Sequence, residues 1–303
     1  MADELKSIDF KQAAEYPGAQ ALRVVRSKGA SSLVISQTTS TPPMGAQTVF
    51  LALQAGNPGA GWMNVAVVSE MVPAQPAWDA AADSRGSFQI VYERPGGAIN
   101  ALLLRAPSGE TRTLSGQYPM KSFSLPRFSK ASGEPPQWLT AIVDNRICVV
   151  FSLTAAGPYH ELGECAEGLL VKHGAGFVFL SKKTIPGTVR GNDISLGQLR
   201  ATALGMDLKP AGKTVDVASG AVFQFDADTV GGKLVVVATA PGGIVIASSA
   251  TRELRFVRKQ YANQAPLTFP GLQPGAAGNA IVGVLDGSDS GKVRILAAEI
   301  PVP

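Results

Sequence analysis

Short apolar runs, broken by turns rich in glycine, proline and aspartate, recur along the whole chain. Some runs alternate with polar residues, as in FQIVYE, where Phe88, Ile90 and Tyr92 fall on one face of an extended strand. Others are continuous, such as LVVVA from Leu234 to Ala238, which is typical of strands buried on both faces. Val, Ile, Leu, Phe and Thr dominate these runs, and such residues suit a packed, pleated surface. The pattern predicts β-strands throughout.

Most of these strands are predicted to pair as hairpins, because the residues between them tolerate the positive φ that tight turns require. Seven hairpins are predicted, with turns at Lys28-Gly29, Gly56–Gly61, Gly96-Gly97, Asp144-Asn145, Gly174–Gly176, Pro241–Gly243 and Asp286-Gly287.

Two of the hairpins resemble each other in detail. Val91 to Glu110 and Val236 to Glu253 each contain an apolar run, Pro-Gly-Gly, a second apolar run, and small polar residues with an acid. The glycines stand between two strands, whereas a phosphate-binding loop needs a helix to follow it. We therefore interpret the two stretches as copies of one repeated unit.

The hairpins recur roughly every 30 to 50 residues, a period typical of β-propeller blades of about four strands. For 303 residues the sequence predicts an all-β fold, a single β-propeller domain of about six blades over residues 1–303. The first and last strands are expected to share a blade. The alternative is two β-sandwich domains, split near Thr184–Asp193. Helix is predicted only for AWDAAADS (77–84) and SLGQLRATALG (195–205).

FSLPRF, followed by PPQWLTAIVDNRICVVFS, resembles the blade sequences of lectin and sialidase-like propellers in general style. The resemblance implies a fold and carries no diagnostic motif. The Asp-box of sialidases has only a degenerate echo in GSDSGKVR, with Asp289 and Gly291 in place but Val293 and Arg294 where Thr and Trp are needed.

The charge pattern argues against nucleic acid as a partner. The net charge is +4, and no dense Lys/Arg block exists beyond Lys182-Lys183. The N-terminal residues MADELKSIDFKQ contain no apolar stretch typical of a secretory signal, so the compartment stays open. The uncharged stretch 234–251 is interrupted by Pro-Gly-Gly and predicts a buried hairpin, so no membrane span is expected.

Cysteine and histidine are too few to indicate a metal or a catalytic triad. Cys148 and Cys165 are expected to be buried thiols, although a disulfide between them is conceivable. His160 and His173 lie in glycine-rich segments and are expected to be exposed loop residues. No zinc-type spacing is present, and we predict neither a metal nor a cofactor.

Two stretches resemble phosphate-binding and calcium-binding motifs, but each lacks residues that the motif requires. Gly212-Lys213-Thr214 resembles the end of a phosphate-binding loop, but Asp207 occupies the position of the leading glycine. Asp226 and Asp228 are spaced like calcium ligands but lack further ligands, and we interpret them as turn residues. The pair Asp286 and Asp289 is interpreted in the same way.

The remaining chemistry is that of sugar recognition. Trp62 and Trp138 are candidates for stacking on a sugar, Tyr92 and Arg94 are further candidates for binding the ligand, and Glu93 between them is the candidate catalytic carboxylate. The sequence predicts a binding or scaffold protein rather than an enzyme, with a glycan or protein ligand recognised through loops on one face. The first alternative is a glycosidase-type hydrolase with Glu93 and other carboxylates at a central channel. The second is a structural component of a larger assembly.

Overall fold

The computed structural model describes residues 8–15, 19–27, 30–40, 46–54, 63–68, 77–82, 88–96, 99–105, 110–132, 134–154, 157–185, 196–262, 267–289 and 292–303. These residues form 24 β-strands and one short 3-10 helix, Ala276–Gly278. The strands are arranged in six antiparallel sheets of four strands each. The predicted all-β class is confirmed, and the alternative of two β-sandwich domains is wrong, since the strands form six separate small sheets.

The chain divides into two compact units. The N-terminal unit comprises residues 18–129 and 133–170, and the C-terminal unit comprises residues 1–17, 130–132 and 171–303. The expectation of one domain over the whole chain stays a prediction.

Three sheets belong to the N-terminal unit, and in each the strands follow chain order. Their strands are β2 (Ala19–Ser27), β3 (Ala30–Ser40), β4 (Ala46–Gln54) and β5 (Met63–Val68); β6 (Trp78–Ala82), β7 (Phe88–Gly96), β8 (Ile99–Arg105) and β9 (Thr111–Thr113); and β10 (Phe123–Phe128), β11 (Trp138–Val143), β12 (Ile147–Ser152) and β13 (His160–Glu164).

The other three sheets lie mainly in the C-terminal unit, to which β14 contributes its last residues. In the final sheet, β1 pairs with β24, so the first strand of the chain completes the sheet of the last three. The strands are β14 (Glu167–His173), β15 (Gly176–Thr184), β16 (Gly197–Leu204) and β17 (Val215–Val222); β18 (Gln224–Val230), β19 (Lys233–Ala240), β20 (Gly243–Ser249) and β21 (Val257–Ala262); and β22 (Leu267–Pro274), β23 (Ala280–Asp289), β24 (Lys292–Ile300) and β1 (Lys11–Glu15).

Each of the seven predicted hairpins corresponds to two strands that are neighbours in one sheet. The turn predicted at Asp286-Gly287 is wrong in position, because both residues lie inside β23, which runs to Asp289. The predicted turn residues 28–29, 56–61 and 97 lie outside the described residues. The turn of β11 and β12 has φ values of 52° at Asp144 and 55° at Asn145, which the short polar side chains tolerate. The matching β7–β8 and β19–β20 hairpins are the two similar stretches, each at the centre of its sheet. Gly242 and Gly243, with φ of 91° and 143°, turn the chain there.

The two helix predictions are wrong. Residues 77–84 contribute strand β6, and residues 195–205 contribute strand β16. The first stretch is rich in alanine and the second in leucine and alanine, which favour an isolated helix, but in β16 most residues alternate between buried and half-buried. Pairing with β15 along eight residues outweighs that local preference.

Apolar clusters fill both units. Phe123, Phe128, Leu139 and Phe151 form the centre of one in the N-terminal unit, and each is at most 4% exposed. In the C-terminal unit, buried residues of β18 to β20 and β22 to β24 form another. Burial of such side chains contributes about 1.5–3 kcal/mol each.

Cys148 and Cys165 form a disulfide, so the expectation of two buried thiols is wrong. Cys148 lies opposite Gly163 across the β12–β13 pair, and the chain then returns Cys165 to within 5.6 Å, Cα to Cα. That distance is typical of disulfides.

Candidate functional site

Asp79, the second residue of β6, is a fully buried carboxylate, with 0% of its side chain exposed. Its Oδ1 accepts a hydrogen bond from Arg23 Nε at 2.8 Å, and its Oδ2 accepts one from the backbone N–H of Phe128 at 2.7 Å. A buried carboxylate without partners costs the fold several kcal/mol. The partners of Asp79 stabilise its charge. Through them Asp79 connects the first strands of three consecutive sheets, which are β2, β6 and β10.

Arg23 is held in place by more than its ion pair. Its guanidinium lies 5.3 Å from the centre of the Trp78 ring and donates to the carbonyl oxygen of Trp78 at 3.0 Å. The indole N–H of Trp78 in turn donates to Ser36 Oγ at 3.1 Å. The cation–π contact and the hydrogen bonds hold the Arg23 guanidinium group in the orientation in which it binds Asp79.

Arg127 connects Asp79 to the next sheet. Its Nε lies 3.8 Å from Asp79 Oδ2, and its Nη1 donates to Glu167 Oε1 at 2.7 Å. Arg127 is buried, with 6% of its side chain exposed, whereas the Glu167 side chain keeps 16% exposure. Glu167 is therefore a charged carboxylate that solvent or a ligand can reach.

Glu93, on β7, is half-buried and lies on the same face of its sheet as Asp79. Asp79 pairs with Val91, and residues directly opposite each other share a face, so the side chain two positions on from Val91 lies on that face as well. Burial raises the pKa of Glu93, and a hydrogen bond from the Leu125 backbone N–H partly offsets that effect. The carboxyl therefore stays protonated to higher pH than an exposed glutamate.

We call Arg23, Asp79, Glu93, Arg127 and Glu167 the N-terminal cluster. It combines a carboxyl of raised pKa, a partly exposed carboxylate in an ion pair, and a buried carboxylate that orients two arginines. A carboxyl that keeps its proton to higher pH, together with a carboxylate held in an ion pair, is a combination that acid–base catalysis uses.

The C-terminal unit repeats this framework with other side chains. Asp226 Oδ2 accepts the backbone N–H of Leu272 at 2.8 Å, as Asp79 accepts that of Phe128. Gln224 Oε1 accepts the backbone N–H of Phe269 at 2.7 Å. In both units two side chains of one sheet thus each accept one backbone N–H group, and the two N–H groups lie three residues apart on the first strand of the next sheet.

Asp228 shares its strand face with Asp226 and is 4% exposed. Its Oδ1 accepts the backbone N–H groups of Ser132 at 2.9 Å and Thr229 at 2.7 Å. Burial raises its pKa to about 6, although Lys130, which lies 3.5 Å from Asp226, works in the opposite direction. Asp226 and Asp228 lie within β18, so their interpretation as turn residues is wrong.

The structure separates the residues that the sequence proposed for ligand binding. Tyr92 is 5% exposed and lies in the sheet, with its backbone opposite Trp78. Arg94 is exposed. Trp138 is half-buried at the start of β11 and contacts the exposed His160 edge-on, with ring centroids 6.4 Å apart. Trp62 lies outside the described residues. Glu93 is the one predicted residue that belongs to the N-terminal cluster.

His160 lies in strand β13 and His173 in strand β14, so their prediction as loop residues is wrong. His173 is also buried, at 4% exposure, and burial lowers its pKa. Asp286 is likewise a buried strand residue, with Arg294 at 3.0 Å. Within the described ranges, no three or more His, Cys, Asp or Glu side chains are grouped to hold a metal ion. Among the described residues, no helix is long and apolar enough to cross a membrane.

No family model matches the sequence, and no curated protein matches it. Solved structures do share the fold. The α-L-arabinofuranosidase of Fusarium graminearum, a member of glycoside hydrolase family 93, superposes with a TM-score of 0.62 at 10% identity, over 98% of this chain and 97% of that one.

Two further solved structures share this fold. The α-L-arabinanase of Penicillium chrysogenum gives a TM-score of 0.56 at 12% identity, over 97% of this chain and 98% of that one. A mutant of Trypanosoma rangeli sialidase displaying trans-sialidase activity gives 0.57 at 10% identity, over 97% of this chain and 59% of that one. The fold is a β-propeller. The sequence resemblance to propeller blades is thereby confirmed.

These comparisons also correct the functional prediction. The solved structures that share the propeller fold over nearly the whole chain are glycoside hydrolases. They favour the hydrolase alternative over the binding or scaffold protein that the sequence predicted.

Sequence reasoning missed four of the five residues of the N-terminal cluster. The sequence predicts a helix at Asp79, and Arg127 belongs there only to the blade-like stretch FSLPRF. A signal was nevertheless present, because WDAAAD and FDADTV are similar, as are FSLPRF and LTFPGL. Each pair occupies equivalent positions in the two units, β6 with β18 and β10 with β22.

Proposed function

We propose that this chain is a glycoside hydrolase in which Glu93 protonates the leaving glycosidic oxygen. The observation that carries the proposal is the raised pKa of a half-buried glutamate within a cluster whose other carboxylates are held by arginines. Glycoside cleavage needs one protonated carboxyl and one ionised carboxylate on either side of the scissile bond. The fold shared with solved glycoside hydrolases supports this reaction class.

Glu167 is the second carboxylate of the proposal. Its ion pair with Arg127 gives it the charged state that a base or a nucleophile requires, and its side chain is 16% exposed. Glu93 and Glu167 both bind the same short stretch of β10, Glu93 through the N–H of Leu125 and Glu167 through the side chain of Arg127. Asp79, fully buried, positions Arg23 and Arg127 and does not touch the substrate.

The C-terminal unit supplies an internal comparison that supports a chemical role for Glu93. There, the neutral amide of Gln224 accepts the backbone N–H that corresponds to the N–H of Leu125. A neutral side chain therefore suffices to hold the first strand of the next sheet. The carboxyl of Glu93 costs desolvation free energy and is not required for that structural contact.

A glycan is the ligand class that follows from this proposal. The solved neighbours suggest α-L-arabinofuranosides as the first substrates to test and sialosides as the second. Arg94, exposed and next to Glu93 in sequence, and Trp138, half-buried, remain the candidates from the sequence for contacts to the sugar.

The test is turnover of a panel of 4-nitrophenyl glycosides, α-L-arabinofuranoside and sialoside included, by the wild type and by Glu93→Gln and Glu167→Gln. Removing the acid should lower kcat by a factor of about 100 to 10,000. Glu93→Gln should fold normally, because a glutamine oxygen, that of Gln224, accepts the corresponding N–H in the other unit, although Gln224 lies on the first strand of its sheet and Glu93 on the second. Glu164→Gln is the control, since Glu164 is an exposed surface glutamate paired with Arg146.

The pH profile provides a second readout. Activity should fall as the pH rises through the raised pKa of Glu93, because the acid then loses its proton. Full activity in Glu93→Gln, or no turnover of any glycoside by the wild type, would contradict the proposal. Proton NMR of the released sugar would show whether the anomeric configuration is retained or inverted, which depends on the separation of the two carboxyl groups.

A further inference from the structure

Leu125 combines backbone strain, side-chain exposure and contact with the proposed acid. Its φ is 48°, in the left-handed region that side chains other than glycine avoid at a cost of about 1–2 kcal/mol. It also precedes Pro126, which favours extended backbone at the preceding residue. The register of β10 against β11 shifts between Ser124 and Arg127, so Leu125 lies in a bulge.

The strained conformation has a structural purpose that the second unit shares. Phe269 has a φ of 50°, precedes Pro270, and lies in a register shift between Thr268 and Gly271. In each unit this geometry directs a backbone N–H to a side chain of the preceding sheet, Glu93 for Leu125 and Gln224 for Phe269. The turn itself is therefore part of the propeller framework.

The side chain of Leu125 is what the framework does not explain. The Leu125 side chain is 41% exposed, whereas Phe269 at the equivalent position is half-buried. Asparagine or glycine would adopt the same φ at lower cost. A large apolar side chain that is strained, exposed and attached to the N–H bound by the proposed acid indicates contact with a ligand.

We propose that Leu125 is a specificity-determining residue that forms an apolar wall for the sugar held at Glu93. This inference rests on the proposed glycoside hydrolase function. Sugar rings present C–H faces as well as hydroxyls, and an apolar side chain beside the acid can pack on such a face and remove its apolar surface from water. Leu125 acts through contact with the substrate, while its backbone N–H holds the carboxylate of Glu93 in position.

The experiment compares Leu125→Asn with Phe269→Asn, using the 4-nitrophenyl glycoside that the wild type hydrolyses best. Asparagine tolerates the left-handed conformation, so both variants should keep the turn and the N–H contacts. Leu125→Asn should raise KM about tenfold and leave kcat nearly unchanged, as expected for loss of an apolar contact. Leu125→Met should restore the wild-type KM, and Phe269→Asn should not change it.

The outcomes separate this inference from the proposed function. An active wild type whose KM is the same in Leu125→Asn would overturn the role of Leu125 and leave the hydrolase proposal intact. An equal rise of KM in Leu125→Asn and Phe269→Asn would show a structural effect and would also overturn it. If the wild type hydrolyses no glycoside of the panel, the hydrolase function fails, and the role of Leu125 fails with it.

Discussion

Asp228 gives the protein a dependence of stability on pH that a single substitution should remove. Its carboxyl is 4% exposed and accepts backbone N–H groups from Ser132 and Thr229. Its charged neighbours are Lys130, which favours ionisation, and Asp226, which opposes it. Burial has the largest effect, so the pKa rises from its ordinary 3.8 to about 6 in the folded protein.

The sign and magnitude follow from proton linkage. A carboxyl whose pKa is raised by folding binds its proton more tightly in the folded state, so its contribution to stability is present at low pH and lost as the pH rises through about 6. Each pKa unit is worth about 1.4 kcal/mol, and the rise from 3.8 to about 6 therefore amounts to about 3 kcal/mol. Asp228→Asn keeps an oxygen to accept both N–H groups and removes the charge.

The assay is urea unfolding of the wild type and Asp228→Asn at about pH 4.5 and about pH 8, read as free energies of unfolding. The variant should gain about 2 kcal/mol of stability relative to the wild type between these two pH values, because about 1 kcal/mol of the full effect is already lost at about pH 4.5, above the ordinary pKa of 3.8. Asp207→Asn, at a surface aspartate 61% exposed, is the control and should show no such trend. A difference independent of pH, or one that favours the wild type at high pH, would refute the argument that burial outweighs Lys130.

Three further substitutions test the fold. Replacing Cys148 and Cys165 together by serine should lower the free energy of unfolding by about 3 kcal/mol, measured by urea unfolding, because their disulfide closes a loop with a sequence separation of 17. Gln273→Met should raise the melting temperature, because both polar atoms of the Gln273 amide are buried without a hydrogen bond to any residue that the structure describes; a lower melting temperature would contradict this expectation. Thr140→Val should cost about 1 kcal/mol in the same unfolding assay, since its hydroxyl donates to the carbonyl of Gly168 at 2.8 Å, and an unchanged midpoint would contradict that bond.

Local sequence patterns were sufficient to predict the hairpins. Asp144-Asn145 and Pro241–Gly243 each stand between two β-rich runs, and turn chemistry depends on neighbours within a few residues. The helix prediction for residues 77–84 failed because alanine-rich WDAAA becomes a strand only by pairing with β7. Such pairing is a property of the sheet and leaves little trace in the short segment itself.

The candidate site was harder to predict because its members come from distant parts of the chain. The sequence singles out Glu93 through its neighbours Tyr92 and Arg94, yet its raised pKa arises from burial, which the backbone N–H of Leu125, 32 positions away in the sequence, only partly offsets. No motif in the sequence marks Asp79, because its role depends on hydrogen bonds to Arg23 and to the backbone of Phe128, which are distant in the sequence.

The sequence by itself determined that the chain would form β-hairpins and that they would repeat, because apolar alternation and turn residues act over a few positions. It also contained the similarity of FSLPRF and LTFPGL, the mark of the duplicated framework. Tertiary structure alone decided that Cys148 and Cys165 pair and that Asp226 and Asp228 are buried. It also gave Glu93 a raised pKa, because burial and the distances between charges depend on how separate strands pack together.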